Sequence, residues 1–247
     1  MRLDVVQVAP GVHQAYTKYV GWVIVEDGDE VTLVDTGWAR DRGRLLASLA
    51  RIGRSPADVA AIVLTHGHRD HQGSAEWFRR QYDVPVEVHE DERANTLGER
   101  VEEVSTLKVL GMAWRPSVMA WGLEVGLQGR LRTDYVTAVE TFTDGGLDVP
   151  GRPVCIPTPG HTSGHTAFHL PDRGVLIAGD ALMTRHPFDR IESGVRLLSD
   201  YFNTDTAQAA ASLERLRPLA AEVVIPGHGP PYFGTPANAV DEALAHR

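Results

Sequence analysis

Leu64-Thr65-His66-Gly67-His68-Arg69-Asp70-His71 is the stretch whose reading decides the fold. Four residues able to bind a metal, His66, His68, Asp70 and His71, fall in this short run, and imidazole and carboxylate are the usual nitrogen and oxygen donors for zinc and related first-row metals. A solvated polar loop that happens to be rich in histidine is the alternative, and the density of ligand-type residues weighs against it. The apolar run before the motif, Ala60-Ala61-Ile62-Val63-Leu64, reads as a buried strand, and His71 to Phe78 reads as the opening of a helix. The candidate ligands therefore sit on a strand-to-helix turn. Such a loop aims His66 and His68 at one point and Asp70 and His71 at a second point nearby, a spacing for two adjacent metals.

Upstream, residues 5 to 36 alternate and turn as an antiparallel meander, with apolar runs at Val5 to Val8, Gly21 to Val25 and Val31 to Val34. The meander ends in Asp35-Thr36-Gly37. An acidic residue leaving a strand beside a glycine is either a turn former or a partner to a metal ligand, and spacing alone favours the turn. Residues 39 to 52 place Leu45, Leu46, Leu49 and Ile52 at helical spacing with arginines opposite. Ser55-Pro56-Ala57-Asp58 joins a capping residue to a proline at the first helical position, and the strand to His66 follows.

Downstream, the helix from the motif runs to about Gln81, and Val84 to Val88 is a strand. Residues 90 to 133 differ: two helix-like stretches, broken around Gly111 and at Pro116, carry Leu107, Met112, Trp114, Val118, Met119, Trp121 and Leu123. They read as a helical pair packed as core, or as a cap whose inner face lines a substrate pocket through Trp114, Met119 and Trp121. A second meander is expected from Glu140 to Ala178, then a helix over 206 to 216, the strand Glu222 to Ile225, and a last helix from about Pro236.

Three more candidates stand at strand ends flanked by glycine: Gly160-His161, Gly179-Asp180 and Gly227-His228-Gly229. Singly each is weak, because a Gly-His at a turn is more often structural. His-x-His-x-Asp-His after an apolar strand, followed in this order by His161, Asp180 and His228, resembles the signature of the metallo-β-lactamase fold superfamily. The resemblance runs from Asp35 to His228 and covers the 90 to 133 insertion least. It implies one domain over 1–247 with the four-layer αββα sandwich and a helical insertion. It also implies that His66, His68 and His161 bind one metal, that Asp70, His71 and His228 bind the second, and that Asp180 bridges them. Asp35 then becomes a partner packed beneath the metal site. Three histidines on one ion leave an open position for water, as catalytic zinc sites do. Two divalent ions, most simply zinc with iron or manganese as the alternatives, about 4 Å apart can share a hydroxide and polarise the substrate oxygen, which makes that hydroxide the expected nucleophile. Asp70 is the expected proton shuttle to the leaving group.

Of the other histidines, His13, His89, His169 and His246 read as surface or satisfied core residues. His165, four residues after His161, is a candidate partner to the ligands, and His186, just beyond Asp180, a candidate substrate donor. The lone cysteine, Cys155, lies in an apolar run and reads as a buried, inert thiol.

The 247 residues carry 33 acids against 24 bases, a net charge of -9. That balance disfavours nucleic acid and anionic membranes as partners and leaves a small-molecule substrate. Met1 to Asp4 lacks the apolar core of a secretion signal and no apolar run approaches a membrane span, so a cytoplasmic protein is expected. Within the superfamily, Asp180 argues against a true β-lactamase and His68 against the di-iron oxidases. The resemblance then implies the glyoxalase II-like and lactonase-like hydrolases, acting on a thioester or lactone. A mononuclear iron persulfide dioxygenase and a non-catalytic metal-binding protein are the rival readings.

Overall fold

Both faces of the central strands are apolar, which is the pattern of sheets covered on each side. In the strand Gly21–Asp27, Val23 and Val25 face one way and Trp22 and Ile24 the other, and all four are buried. The computed structural model, which describes residues 2–102, 111, 114–127, 135–185 and 194–245, resolves this pattern into two sheets. The first holds β1 (Asp4–Ala9), β2 (Val12–Tyr16), β3 (Gly21–Asp27), β4 (Glu30–Val34), β5 (Val59–Val63), β6 (Val86–His89) and β7 (Glu140–Phe142) in sequential order. Pairing is antiparallel through β4 and parallel from β4 to β7.

The second sheet holds β8 (Gly145–Gly146), β9 (Val154–Pro157), β10 (Thr166–Leu170), β11 (Val175–Met183), β12 (Val223–His228) and β13 (Tyr232–Phe233), in the order β13-β12-β11-β10-β9-β8. Only its β11–β12 pair is parallel. Val12, Val23, Val25, Val34 and Val63 of the first sheet pack on Phe168, Leu170, Ile177 and Ile225 of the second. Outside the first sheet, Trp22, Ile24, Leu33 and Ile62 pack on Leu45 and Leu49 of the helix Arg42–Arg51 and on Phe78 of the helix Ala75–Tyr82. The Trp22 indole N–H donates to Ser48 Oγ at 3.0 Å, so the large ring is buried without an orphaned donor. Outside the second sheet, Leu176, Ala178 and Val224 meet Leu213 and Leu216 beside the helix Thr206–Ser212 and Val240 of the helix Pro236–Ala245. The result is the expected αββα sandwich.

The structure departs from the expectations in four places. Strand β2 is not marked by the sequence pattern, because His13 and Gln14 interrupt its apolar alternation; His13 pairs with Glu26 at 2.8 Å and Gln14 Nε2 donates to the Gly229 carbonyl at 3.0 Å. Strand β7 extends the first sheet beside β6 instead of opening the second meander, so the chain changes sheets between Phe142 and Gly145. The helix after the motif is two helices, Arg69–Gln72 and Ala75–Tyr82, divided at Gly73. A Cβ there would lie 2.2 Å from Ala39 N and 2.4 Å from the Trp38 carbonyl carbon, so two backbones meet where only glycine fits.

The fourth departure concerns the insertion. Its described helix, Pro116–Leu127, starts at the proline as expected. It buries Val118, whereas Trp114 just before it is 81% exposed, Met119 62% and Leu123 65%. The core reading fails at those three residues, since one helix can lay only one face on the sandwich. Met112, residues 103–110 and the Trp121 side chain lie outside the described residues. Among the described residues no helix is long and apolar enough to cross a membrane.

Candidate metal centre

Seven side chains from both sheets meet at one edge of the sandwich. His66 and His68 leave the end of β5, Asp70 and His71 open the short helix Arg69–Gln72, His161 follows β9, Asp180 lies within β11, and His228 ends β12. Three overlapping groups form: His66, His68 and His161; His66, His71 and Asp180; and Asp70, His71 and His228. Within each group the ligand atoms lie within 4.8 Å of one another. Asp180 sits between the outer two, with Oδ2 3.0 Å from His228 Nε2 and 3.5 Å from His161 Nε2, and Oδ1 3.3 Å from His71 Nε2. Asp70 Oδ2 lies 3.8 Å from His71 Nε2 and 3.7 Å from His228 Nε2. At Gly227 a Cβ would fall 2.0 Å from Asp180 Oδ1, so the glycine before His228 is what lets the strand end approach.

Each histidine points one nitrogen at this centre and has the other tied to a protein oxygen. His66 Nδ1 faces Thr65 Oγ at 3.0 Å, His71 Nδ1 faces Asp35 Oδ2 at 2.8 Å, His161 Nδ1 faces Asn203 Oδ1 at 3.2 Å, and His228 Nδ1 faces the Tyr19 carbonyl. His68 is reversed: its Nε2 faces the Glu102 carbonyl at 2.8 Å, and its Nδ1 lies 3.0 Å from His161 Nε2. Fixing the remote nitrogen as a donor leaves the near one an unprotonated lone pair, which is how metal-binding histidines are oriented. Asp35 does more than turn the chain. Its φ is +63°, as a turn residue's would be, and its carboxylate accepts from the Thr65 amide and hydroxyl as well as from His71.

The centre fits a cation. His66 Nε2, His71 Nε2 and Asp180 Oδ1 are buried and have no hydrogen-bond partner among the described residues, although leaving such groups unpaired is costly. Burial and neighbouring imidazoles hold the pKa of His66 and His161 well below the usual value, so both are neutral donors. At His71 burial pushes the same way, but the carboxylates of Asp180, Asp35 and Asp70 outweigh it and raise the pKa. Asp180 and Asp70 thus call for positive charge where His71 Nε2 points, with Asp35 at the opposite nitrogen, and a divalent ion would answer that demand by taking the proton's place.

His165 is buried, and its Nε2 accepts the Asp180 amide at 3.0 Å while Nδ1 donates to Thr158 Oγ, so it holds the backbone of Asp180. Burial pushes its pKa down to about 3, which keeps that acceptor free. His13 pairs with Glu26, and His169 Nε2 donates to the Ala220 carbonyl. His89 Nδ1 accepts from the Asp91 amide, and all three histidines are structural as expected. Cys155 is 2% exposed and burial pushes its thiol up to about 12. His186 and His246 lie outside the described residues, and Trp114 and Met119 are not members of the cluster. Asn203, Glu102 and Tyr19 join the site without any mark in the sequence. Two of the three act through a carbonyl, which no sequence pattern signals.

The family model described as the Metallo-beta-lactamase superfamily matches residues 18–228. The chain belongs to this superfamily. It is 28% identical over 253 residues to a probable metallo-hydrolase, YflN, of Bacillus subtilis (strain 168), covering 98% of this chain and 92% of that one. It is also 28% identical over 230 residues to metallo-beta-lactamase domain-containing protein 1 of Xenopus laevis, covering 89% of this chain and 78% of that one. Among solved structures, a metallo-beta-lactamase family protein from Thermus thermophilus superposes with a TM-score of 0.68 at 29% identity, over 97% of this chain and 80% of that one. A metallo-beta-lactamase from Cronobacter sakazakii gives a TM-score of 0.65 at 18% identity, over 92% and 81%, which speaks to the fold alone.

Proposed function

We propose that the protein is a dinuclear metal-dependent hydrolase of a small, partly apolar ester-like substrate, a thioester or lactone. The observation that carries the proposal is the set of five histidines whose remote nitrogens are all tied to protein oxygens, around orphaned atoms on His66, His71 and Asp180. His66, His68 and His161 would hold one ion and Asp70, His71 and His228 the other, with Asp180 shared between the two groups. Two divalent ions, zinc by donor type, would lower the pKa of a water toward neutrality and polarise the carbonyl it attacks. Burial of His66, His71, His161 and Asp180 keeps bulk water from the inner side of the centre. Asp70 is more open: its side chain is 19% exposed, against 3% for Asp180 and none for His71. It is therefore the member of the set able to deliver a proton to the departing group. Exposed Trp114, Met119 and Leu123 offer apolar surface that an acyl chain can cover. The single buried cysteine accords with a cytoplasmic setting.

The test is a panel of thioesters, lactones, phosphodiesters and a persulfide, the last with an oxygen electrode, run on protein of known metal content. Turnover of a thioester or lactone that requires two ions is the expected result. One tightly bound iron with oxygen uptake on the persulfide would overturn the hydrolase, and bound metal with no turnover of any substrate would favour a non-catalytic role.

A further inference from the structure

Glu92, at the end of the turn Glu90–Glu92, is fully buried and belongs to none of the three ligand groups. Its Oε1 accepts from the Gly67 amide at 2.8 Å and Asn95 Nδ2 at 2.5 Å. Its Oε2 accepts from Thr162 Oγ at 2.7 Å and the Gly164 amide at 3.0 Å. An ionised carboxylate has about four lone-pair sites and no donor, so these four donors fill it and specify the charged form. Burial raises the pKa of the group, and the bonds from Asn95, Gly67 and Thr162 oppose the rise.

The partners are not scattered. Gly67 separates His66 from His68, and Thr162 and Gly164 follow His161, so one carboxylate binds the two loops that carry all three histidines of the first group. Both glycines are also needed by shape: a Cβ on Gly164 would fall 2.3 Å from Glu92 N, and one on Gly67 2.7 Å from Thr96 N. A second tie runs through Asn95, whose Oδ1 accepts the Glu102 amide at 3.0 Å. The Glu102 carbonyl faces His68 Nε2, and its carboxylate accepts from Ser163 N at 2.7 Å and Ser163 Oγ at 3.0 Å. Among the described residues no hydrogen bond of Glu92, Asn95, Glu102 or Ser163 reaches Asp70, His71 or His228.

We infer that Glu92 is a positioning residue that clasps the His66–His68 loop to the His161 loop and sets the affinity of the first metal site alone. The inference rests on the reading of the cluster as a metal centre. A purely structural buried carboxylate would lower stability and leave the two sites equally affected; a clasp weakens one site selectively.

The experiment is a cobalt(II) titration of metal-free wild-type protein, Glu92→Gln and Thr162→Val, followed by optical absorption, with thermal unfolding of each metal-free form. Glutamine keeps the shape but turns an NH2 toward two donors. The expected result for Glu92→Gln is a loss of first-site affinity on the order of 10- to 100-fold, the size seen when outer partners of ligands are removed, with the second site unchanged. Thr162→Val removes one of the four bonds and is expected to lose roughly fivefold at the same site. Should Glu92→Gln not fold, Thr162→Val decides. Equal loss at both sites, or unaltered affinity at both with only a lower Tm, overturns the clasp while leaving the metal centre standing. Wild-type protein that takes up no cobalt overturns the metal centre and the clasp with it.

Discussion

Replacing Asp35 by asparagine removes one charge from the base of the centre and turns one acceptor oxygen into a donor. Asn is the substitution of choice because φ at this residue is +63°, a region that Asn tolerates better than other residues bearing a Cβ. In the wild type, Oδ1 accepts the Thr65 amide at 2.9 Å, and Oδ2 accepts the Thr65 hydroxyl and His71 Nδ1, each at 2.8 Å. The asparagine carbonyl can keep the first bond, but its NH2 then confronts the other two donors. Leaving two buried donors unpaired costs about 2 to 5 kcal/mol. His71 can escape by moving its proton to Nε2, so that Nδ1 accepts from the new amide, which reduces the cost to about 1 to 3 kcal/mol. That escape puts a proton on the atom 3.3 Å from Asp180 Oδ1 and 3.8 Å from Asp70 Oδ2, where the proposed second ion would bind. Either way the second site weakens, by roughly 10- to 100-fold. Zinc affinity by competition with a chromophoric chelator, with thermal unfolding of the metal-free protein, reads both effects. An Asp35→Asn protein that binds two ions as tightly as the wild type would refute the reasoning.

Further outcomes follow from individual environments. Burial alone would raise the Glu76 carboxyl, but Arg79, Thr137 and Arg80 hold it at about 2. A depressed folded pKa contributes stability above the unfolded value near 4.5, so Glu76→Gln should cost about 2 to 3 kcal/mol at neutral pH, the lower figure allowing for screening. In chemical unfolding curves the gap to wild type should close as pH falls from about 4.5 towards 2. Gly73→Ala forces a Cβ against the backbone of Trp38 and Ala39 and should lower stability by about 1 to 3 kcal/mol or more, read as a fall in Tm. Trp114→Ala should change stability by less than about 0.5 kcal/mol, where a buried tryptophan would cost about 3 to 5. Its effect, if the apolar surface serves substrate, should appear in the ratio of activities on long and short acyl chains. Native Cys155 should resist alkylation at pH 8 and react once the chain is unfolded.

The site was more legible than the scaffold around it. Ligand-type residues concentrated in 66–71 and recurring beside glycines at 161, 180 and 228 leave few other readings, and the fold brings all seven side chains together. Asp35 shows where a local pattern falls short. It occupies the left-handed turn that spacing favoured, yet its carboxylate also serves His71 across 36 positions of chain, a partnership no window of sequence contains. The same holds for Glu92, whose donors come from residues 67, 95, 162 and 164. The pattern alone puts β7 in the wrong sheet because three residues carry too little periodicity to say which edge they join, and parallel pairing with β6 is a non-local choice. The insertion misleads for another reason. A run dense in large apolar residues looks like core, but Trp114 and Met119 meet solvent.

The central claim is a centre for two metal ions, and the stoichiometry of zinc binding to the metal-free chain tests it most directly. Isothermal titration, checked by elemental analysis of the dialysed product, should give two ions per chain. The count should fall to one when His228 is replaced by alanine and should fall below two in Asp180→Ala. Saturation of the wild-type chain at one ion, with His228→Ala indistinguishable from it, would contradict the account.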